Sequence, residues 1–210
     1  MIKNLLFVGA HPDDLEVMAG GTVKRVINEG GNVHALIVSD GTWVGPNLEV
    51  YRDAELAKLE AVNASKIIGH SIDFLDEKTL EISYKDSVVV SILKCIDKMK
   101  ADTIICPWVD DLHRDHSEVA RMAIAASRKV PRVLMAQANW YVANGTFTPN
   151  IFFDISDTYD AKMQALECYE SEMKRIGETW RVFHDSLTKY YGLISSCERA
   201  EGFLTNKYRL

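Results

Sequence analysis

The 210-residue chain has no run of basic residues, no closely spaced pair of cysteines and no long apolar stretch. Each absence removes a class of protein. Lys and Arg are scattered and the formal net charge is -6, which excludes a general nucleic-acid binder because such proteins need a basic face. Cys95, Cys106, Cys168 and Cys197 form no CxxC pair, and a chain of this length needs no disulfide staples. They read as reduced core thiols, and a cytoplasmic protein is expected. The apolar run Leu5-Leu6-Phe7-Val8 ends at Gly9, too short for a signal-peptide core and cleavage site, so no leader is expected. No stretch reaches the ~20 apolar residues that a membrane-spanning helix requires. Repeats, low-complexity tracts and linkers are also missing. Residues 1–210 are therefore expected to form a single domain, and the hydrophobic fraction of 47% suffices for a full core.

What is present is an alternation of strand-like and helix-like segments. Strands are expected at residues 2–9, 32–39, 72–75, 102–107, 132–137 and 151–155, from short runs rich in β-branched residues bounded by turn residues. Helices are expected at residues 20–29, 51–68, 86–99, 116–128, 157–175 and 181–194, with His11 to Met18 as loop. In the second helix Leu56, Leu59 and Val62 are expected to face inward. The pattern predicts an α/β fold, a Rossmann-like, mostly parallel sheet with helices on both faces. Right-handed crossovers then put the first and fourth strands side by side at the switch point.

Two polar clusters fall at the carboxyl ends of those strands, where open α/β sheets place their chemistry. One is His11-Pro12-Asp13-Asp14; the other is His113-Arg114-Asp115-His116. A catalytic zinc needs three protein ligands and one open position. His11 and Asp14 lie three apart on one turning loop, and His116 is the best third ligand from elsewhere. This mixed N/O set suits zinc and is compatible with other divalent transition metals such as Fe2+. Asp13, beside the ion but not needed on it, would take the proton of the attacking water. His113, held by Asp115 and charged, would stabilise the oxyanion and protonate a leaving amine. These parts amount to a metal-assisted amide hydrolase. The blander alternative makes Asp13 and Asp14 a turn or helix cap and Asp115 the cap of the following helix; joint occurrence of the clusters favours the metal. His34, His70 and His184 are expected to be structural. Asp40 stands where a dinucleotide fold places its ribose-binding acid, but the first turn has no GxGxxG, so a dinucleotide cofactor is not expected.

Gly9-Ala10-His11-Pro12-Asp13-Asp14, Gly20-Gly21-Thr22 and His113-x-Asp115-His116 together resemble the PIG-L/LmbE-like zinc deacetylases. Ser39-Asp40-Gly41, Arg52 before Glu55-Leu56, Ile67-Ile68-Gly69 and Ala200-Glu201-Gly202-Phe203 extend the resemblance along nearly the whole chain. It implies zinc-dependent removal of an acetyl group from an N-acetylated sugar, typically an N-acetylglucosaminyl compound. By motif, His11, Asp14 and His116 would be the zinc ligands and Asp13 the general base. His113 would be oxyanion stabiliser and general acid, oriented by Asp115. Arg52 would contact substrate polar groups, against a bland salt bridge to Glu55. The partner is then a small-molecule N-acetylated sugar, with neither nucleic acid nor membrane, and the family implies a homo-oligomer. The chain departs from the family pattern at Leu15-Glu16, where many members have Glu directly after the double Asp, and at Arg114 in place of a proline. A metal-dependent hydrolase of a non-sugar amide or phosphoester, or a non-enzymatic sugar- or nucleotide-binding domain, are the alternatives.

Overall fold

A computed structural model describes residues 1–141 and 145–209. The central sheet begins with β1 (Asn4–Gly9), β2 (Asn32–Ser39) and, after a two-stranded hairpin of β3 (Trp43–Val44) and β4 (Val50–Arg52), β5 (Ser71–Glu77). It continues with β6 (Thr103–Pro107), β7 (Arg132–Ala136), β8 (Ile151–Asp154) and β9 (Ala200–Tyr208). Helices α1 (Asp14–Asn28), α2 (Ala54–Ile68), α3 (Asp86–Met99) and α4 (Arg114–Ala126) connect the strands of the first half. Helices α5 (Tyr159–Glu167), α6 (Glu170–Ile176) and α7 (Glu178–Ser195) lie between β8 and β9. The sheet order is β5-β2-β1-β6-β7-β9-β8. The strands β5, β2, β1, β6 and β7 are parallel, and β9 runs antiparallel to both its neighbours.

Both faces of the sheet are covered, which is why its central strands read as unbroken apolar runs. Leu5 and Phe7 of β1 point into a core shared with α1, α2 and α5, while Leu6 and Val8 point into a second core under α3 and α4. As expected, β1 and β6 are adjacent, so the loops leaving their carboxyl ends emerge side by side at the switch point.

The structure departs from the sequence reading in four places. First, α1 starts at Asp14, so Gly20 and Gly21 lie inside the helix rather than at its start. The reason is close packing. A Cβ on Gly21 would come within 2.8 Å of the Ile155 side chain, and Thr158 Oγ1 donates to the Gly21 carbonyl at 2.8 Å. Gly21→Ala gains helix propensity of up to about 1 kcal/mol but meets overpacking of about 1–3 kcal/mol. Thermal denaturation should therefore show a lower midpoint, whereas a rise would mean that Ile155 yields freely.

Second, residues 51 and 52 belong to β4, and α2 begins after Asp53, whose side chain accepts from Leu56 N at 2.8 Å. Its buried stripe is Ala57, Ala61, Ala64 and Ile68, whereas Leu56 and Leu59 are exposed. Small alanines let α2 lie close to the sheet and to α5, which the larger leucines would prevent. Third, the long C-terminal helix is broken between Glu167 and Glu170 into α5 and α6. Fourth, β9 was not foreseen. A glutamate and a glycine interrupt its apolar pattern, but pairing on both edges makes it a strand. The glutamate is Glu201, which accepts from Gly21 N and Thr22 N and from the buried Lys162 ammonium at 2.6 Å. The C-terminal Ala200–Phe203 segment therefore anchors the helix that follows the first polar loop.

Candidate active site

The loop after β1 turns sharply because Asp14 folds back on it. Asp14 Oδ2 accepts from Ala10 N at 2.7 Å and His11 N at 2.9 Å. That leaves Oδ1 pointing into the crevice, 3.2 Å from His116 Nε2 and 3.8 Å from His11 Nδ1. The two imidazole nitrogens are themselves 3.1 Å apart. Three buried donor atoms from the two loops thus form a triangle of the size that ligands about 2.0–2.2 Å from one ion would make.

Each imidazole is steered from behind by a carboxylate. His11 Nε2 lies 3.1 Å from Asp115 Oδ2, and His116 Nδ1 lies 3.1 Å from Asp111 Oδ2. With the outer N–H of each ring donated to a carboxylate, the inner nitrogens are the ones that face the crevice, the arrangement usual behind metal-binding histidines. Burial opposes charge on His116, yet Asp14 and Asp111 outweigh it and raise its pKa to about 10. His11 is raised too, burial again opposed by its hydrogen bonds to the carboxylates of Asp115 and Asp14. Asp14 is held well below the usual carboxylate range by His116 and His11, against burial. A cluster that holds protons this firmly carries excess negative charge, and the residues present fit a divalent cation.

Here the structure corrects the role expected of Asp115. Its Oδ2 accepts from Leu80 N at 2.7 Å and faces His11, so it orients the His11 imidazole rather than that of His113. Asp111 has the matching position behind His116 and was missed. Its only sequence signal was a carboxylate pair, Asp110-Asp111, just before the second cluster.

His113 packs against both rings, 4.7 Å from His11 and stacked on His116 at 4.7 Å with 29° between planes. Donor atoms of His11, His113 and His116 lie within 4.8 Å of one another. The triangle that includes Asp14 is tighter, with edges of 3.1, 3.2 and 3.8 Å. Burial and the neighbouring His11 and His116 push the His113 pKa down to about 4, and its Nδ1 has no partner among the described residues. The charged His113 expected from sequence is therefore neutral in this structure.

Asp13 lines the same cavity of about 160 Å3, with Trp43, Arg52, His113 and Tyr141. Burial first, and then Glu172, push its pKa up to about 6 against the opposing Arg52. Arg52 sits on β4 and is 5% exposed. Its Nε donates to Gly41 O at 2.9 Å, and its Nη1 lies 3.2 Å from Glu172 Oε1. The salt bridge to Glu55 does not form; the partner comes from α6, which no spacing in the sequence could reveal. The β3–β4 hairpin brings Trp43 to the cavity wall. Asp40 is occupied by Lys78 at 2.7 Å and Thr42 N at 3.0 Å. Arg114 is exposed and donates to Leu80 O. His34, His70 and His184 do not line the cavity.

Comparison with known proteins identifies the family. Residues 6–127 match the family model of the PIG-L GlcNAc-PI de-N-acetylases, and the chain belongs to that family. It is 28% identical to the diacetylchitobiose deacetylase of Thermococcus kodakarensis, over 96% of this chain and 82% of that one. It is 27% identical to a probable N-acetyl-alpha-D-glucosaminyl L-malate deacetylase of Bacillus cereus, over 85% of this chain and 87% of that one. The solved N,N'-diacetylchitobiose deacetylase of Pyrococcus horikoshii superposes with a TM-score of 0.84 at 22% identity, covering 97% of this chain and 84% of that one. The chain is an enzyme of the N-deacetylase class, a hydrolase of carbon–nitrogen bonds other than peptide bonds. Among the described residues no helix is long and apolar enough to cross a membrane.

Proposed function

We propose that the protein is a zinc-dependent deacetylase that removes the acetyl group from an N-acetylglucosaminyl-type small molecule. The observation that carries this reading is the triangle of His11 Nδ1, Asp14 Oδ1 and His116 Nε2 opening onto a cavity that Asp13 lines. These three residues would hold the ion, with Asp115 and Asp111 fixing the two imidazoles. When bound, zinc or ferrous iron supplies Lewis acidity to the amide carbonyl and to water.

The chain's own residues do the rest. Asp13 takes a proton from the attacking water as its oxygen adds to the acetyl carbon. His113, neutral, stabilises the carbonyl oxygen by N–H donation as charge develops there. Asp13 returns the proton to the nitrogen as the carbon–nitrogen bond breaks, which yields acetate and a free amine. Arg52, held by Gly41 and Glu172, contacts polar groups of the substrate. Phosphoester hydrolysis is less well served, since Arg52 and Arg175, the arginines lining the cavity, both pair with Glu172. A cytoplasmic homo-oligomer belongs to the same reading.

Metal content of protein purified without added metal, together with acetate release from a panel of N-acetylglucosaminides, tests the proposal. About one zinc per chain and stoichiometric acetate are expected. No metal as purified and none bound on titration would remove the hydrolase mechanism. The carboxylates behind the ligands give a finer check. Asp111→Asn and Asp115→Asn should each weaken metal binding by roughly 10–100-fold, the usual effect of losing such a partner. Competition with a chromogenic chelator measures this, and unchanged affinity would show that the imidazoles orient themselves.

A further inference from the structure

A general base works only if its carboxylate points at the water it deprotonates. Asp13 lines the cavity, yet its side chain is not held there by a hydrogen bond of its own. It occupies the N-cap position of α1 with φ −89° and ψ −9°, and its carboxylate caps no helix N–H. An Asp at this position ordinarily folds back onto the first free amides. Here the carboxylate is left to the cavity, and the backbone beneath it sets its direction.

Each carbonyl of that turn has a partner. Ala10 O accepts from Ser39 N at 3.0 Å, His11 O from Asp14 N at 3.2 Å and Asp13 O from Val17 N at 3.1 Å. Pro12 O differs, because it accepts from a side chain. The donor is the Tyr169 hydroxyl, at 2.8 Å and 157 positions away. Pro12 has no N–H to offer, so its carbonyl is the one backbone polar group by which it is tied down. The peptide unit fixed in this way is the planar link from Pro12 to Asp13. Holding it fixes where the Asp13 Cα sits and how its side chain leaves the chain.

Tyr169 comes from the break between α5 and α6, where its backbone leaves helical geometry at φ −87° and ψ 64°. Its side chain is fully buried, and the ring packs edge-on against Trp180 with centroids 6.5 Å apart. Packing alone would need no hydroxyl, and burying one is costly unless it is bonded. The same oxygen lies 2.8 Å from Glu16 Oε2, so the phenol is held from the α1 side as well. His11 and Asp14 do not depend on this contact. Asp14 is tied to Ala10 N and His11 N, and the His11 ring to Asp115.

Building on the deacetylase reading, we infer that Tyr169 is the positioning residue for the general base. Through the Pro12 carbonyl its hydroxyl aims Asp13 at the attacking water, and it acts on the chemistry only by way of Asp13.

The test is Tyr169→Phe, which keeps the ring against Trp180, made both in the wild type and in Asp13→Asn. In the wild-type background kcat for acetate release from an N-acetylglucosaminide should fall by roughly tenfold with KM near its original value, as for a base that is present but misaimed. Zinc affinity, read by chelator competition on the same preparations, should fall well short of the ~10–100-fold loss that follows removal of a partner of a ligand imidazole. In the Asp13→Asn background the second substitution should lower kcat no further, since a residue that works through Asp13 has nothing left to aim. An equal fall in both backgrounds would overturn the inference, and so would a parallel loss of zinc affinity and activity; either makes Tyr169 a general support of the site. Glu16→Gln probes the same contact should Tyr169→Phe not fold. It leaves the hydroxyl to Pro12 O, so kcat should fall by less than about threefold; a fall as large as that expected of Tyr169→Phe would show that the hydroxyl serves Glu16 instead. Wild-type protein that releases no acetate from any N-acetylglucosaminide would remove the deacetylase reading and this role together, whereas the equal fall in both backgrounds removes the role alone.

Discussion

On the proposed zinc-deacetylase reading, His116→Ala is expected to yield a protein that neither retains zinc through purification nor releases acetate, with turnover lower by roughly 10³-fold or more. In the proposed triangle His116 is the one candidate donor from the second cluster, so its loss would leave only His11 and Asp14, which come from one turn. Two ligands do not hold a catalytic zinc against dilution. Binding of the ion to the folded state also stabilises it, by about 2.7 kcal/mol at a free concentration a hundred times Kd. Chelator should accordingly lower the thermal midpoint of the wild type and leave that of His116→Ala where it stands. Elemental analysis beside the melting curve decides the matter. A variant with stoichiometric zinc would transfer the third ligand to His113, whose donor atom lies within 4.8 Å of the others.

Asp13→Asn is expected to separate chemistry from metal binding. Asp13 lines the cavity but takes no part in the donor triangle, and asparagine keeps its shape. Zinc content and KM should stay near wild type while kcat falls by roughly 10²-fold or more, the usual effect of losing a general base. Metal analysis and steady-state kinetics on one substrate provide both numbers. Full activity would remove Asp13 from the proton transfer, and loss of zinc would make it a ligand.

Much of this site was legible in the chain. An apolar run ending in Gly9 and followed by His-Pro-Asp-Asp, and a second run followed by His-x-Asp-His, are local patterns. Strand order then forces two such loops together at a switch point, because adjacent parallel strands that cross over in opposite directions open a crevice between them. That alone brings His11, Asp14 and His116 together and places Asp13 beside them. The family resemblance added Arg52, and the structure does place it on the cavity wall.

Other features were not legible because they depend on elements far apart in sequence. Local sequence determined the buried parallel strands, the two loops and the residue types able to bind a cation. Tertiary structure alone decided which carboxylate stands behind which imidazole, since Asp115 reaches across to His11 rather than to the neighbouring His113. It also decided that Gly20 and Gly21 lie inside a helix, because Ile155 and Lys162 of α5 press on that face of α1. And it paired Arg52 with Glu172, 120 positions away, rather than with Glu55. The physical reason is common to all three. Backbone preference and apolar periodicity act over a few residues and are written in the chain, whereas ion pairs and close packing are settled by whichever surface the completed fold brings within a few ångströms.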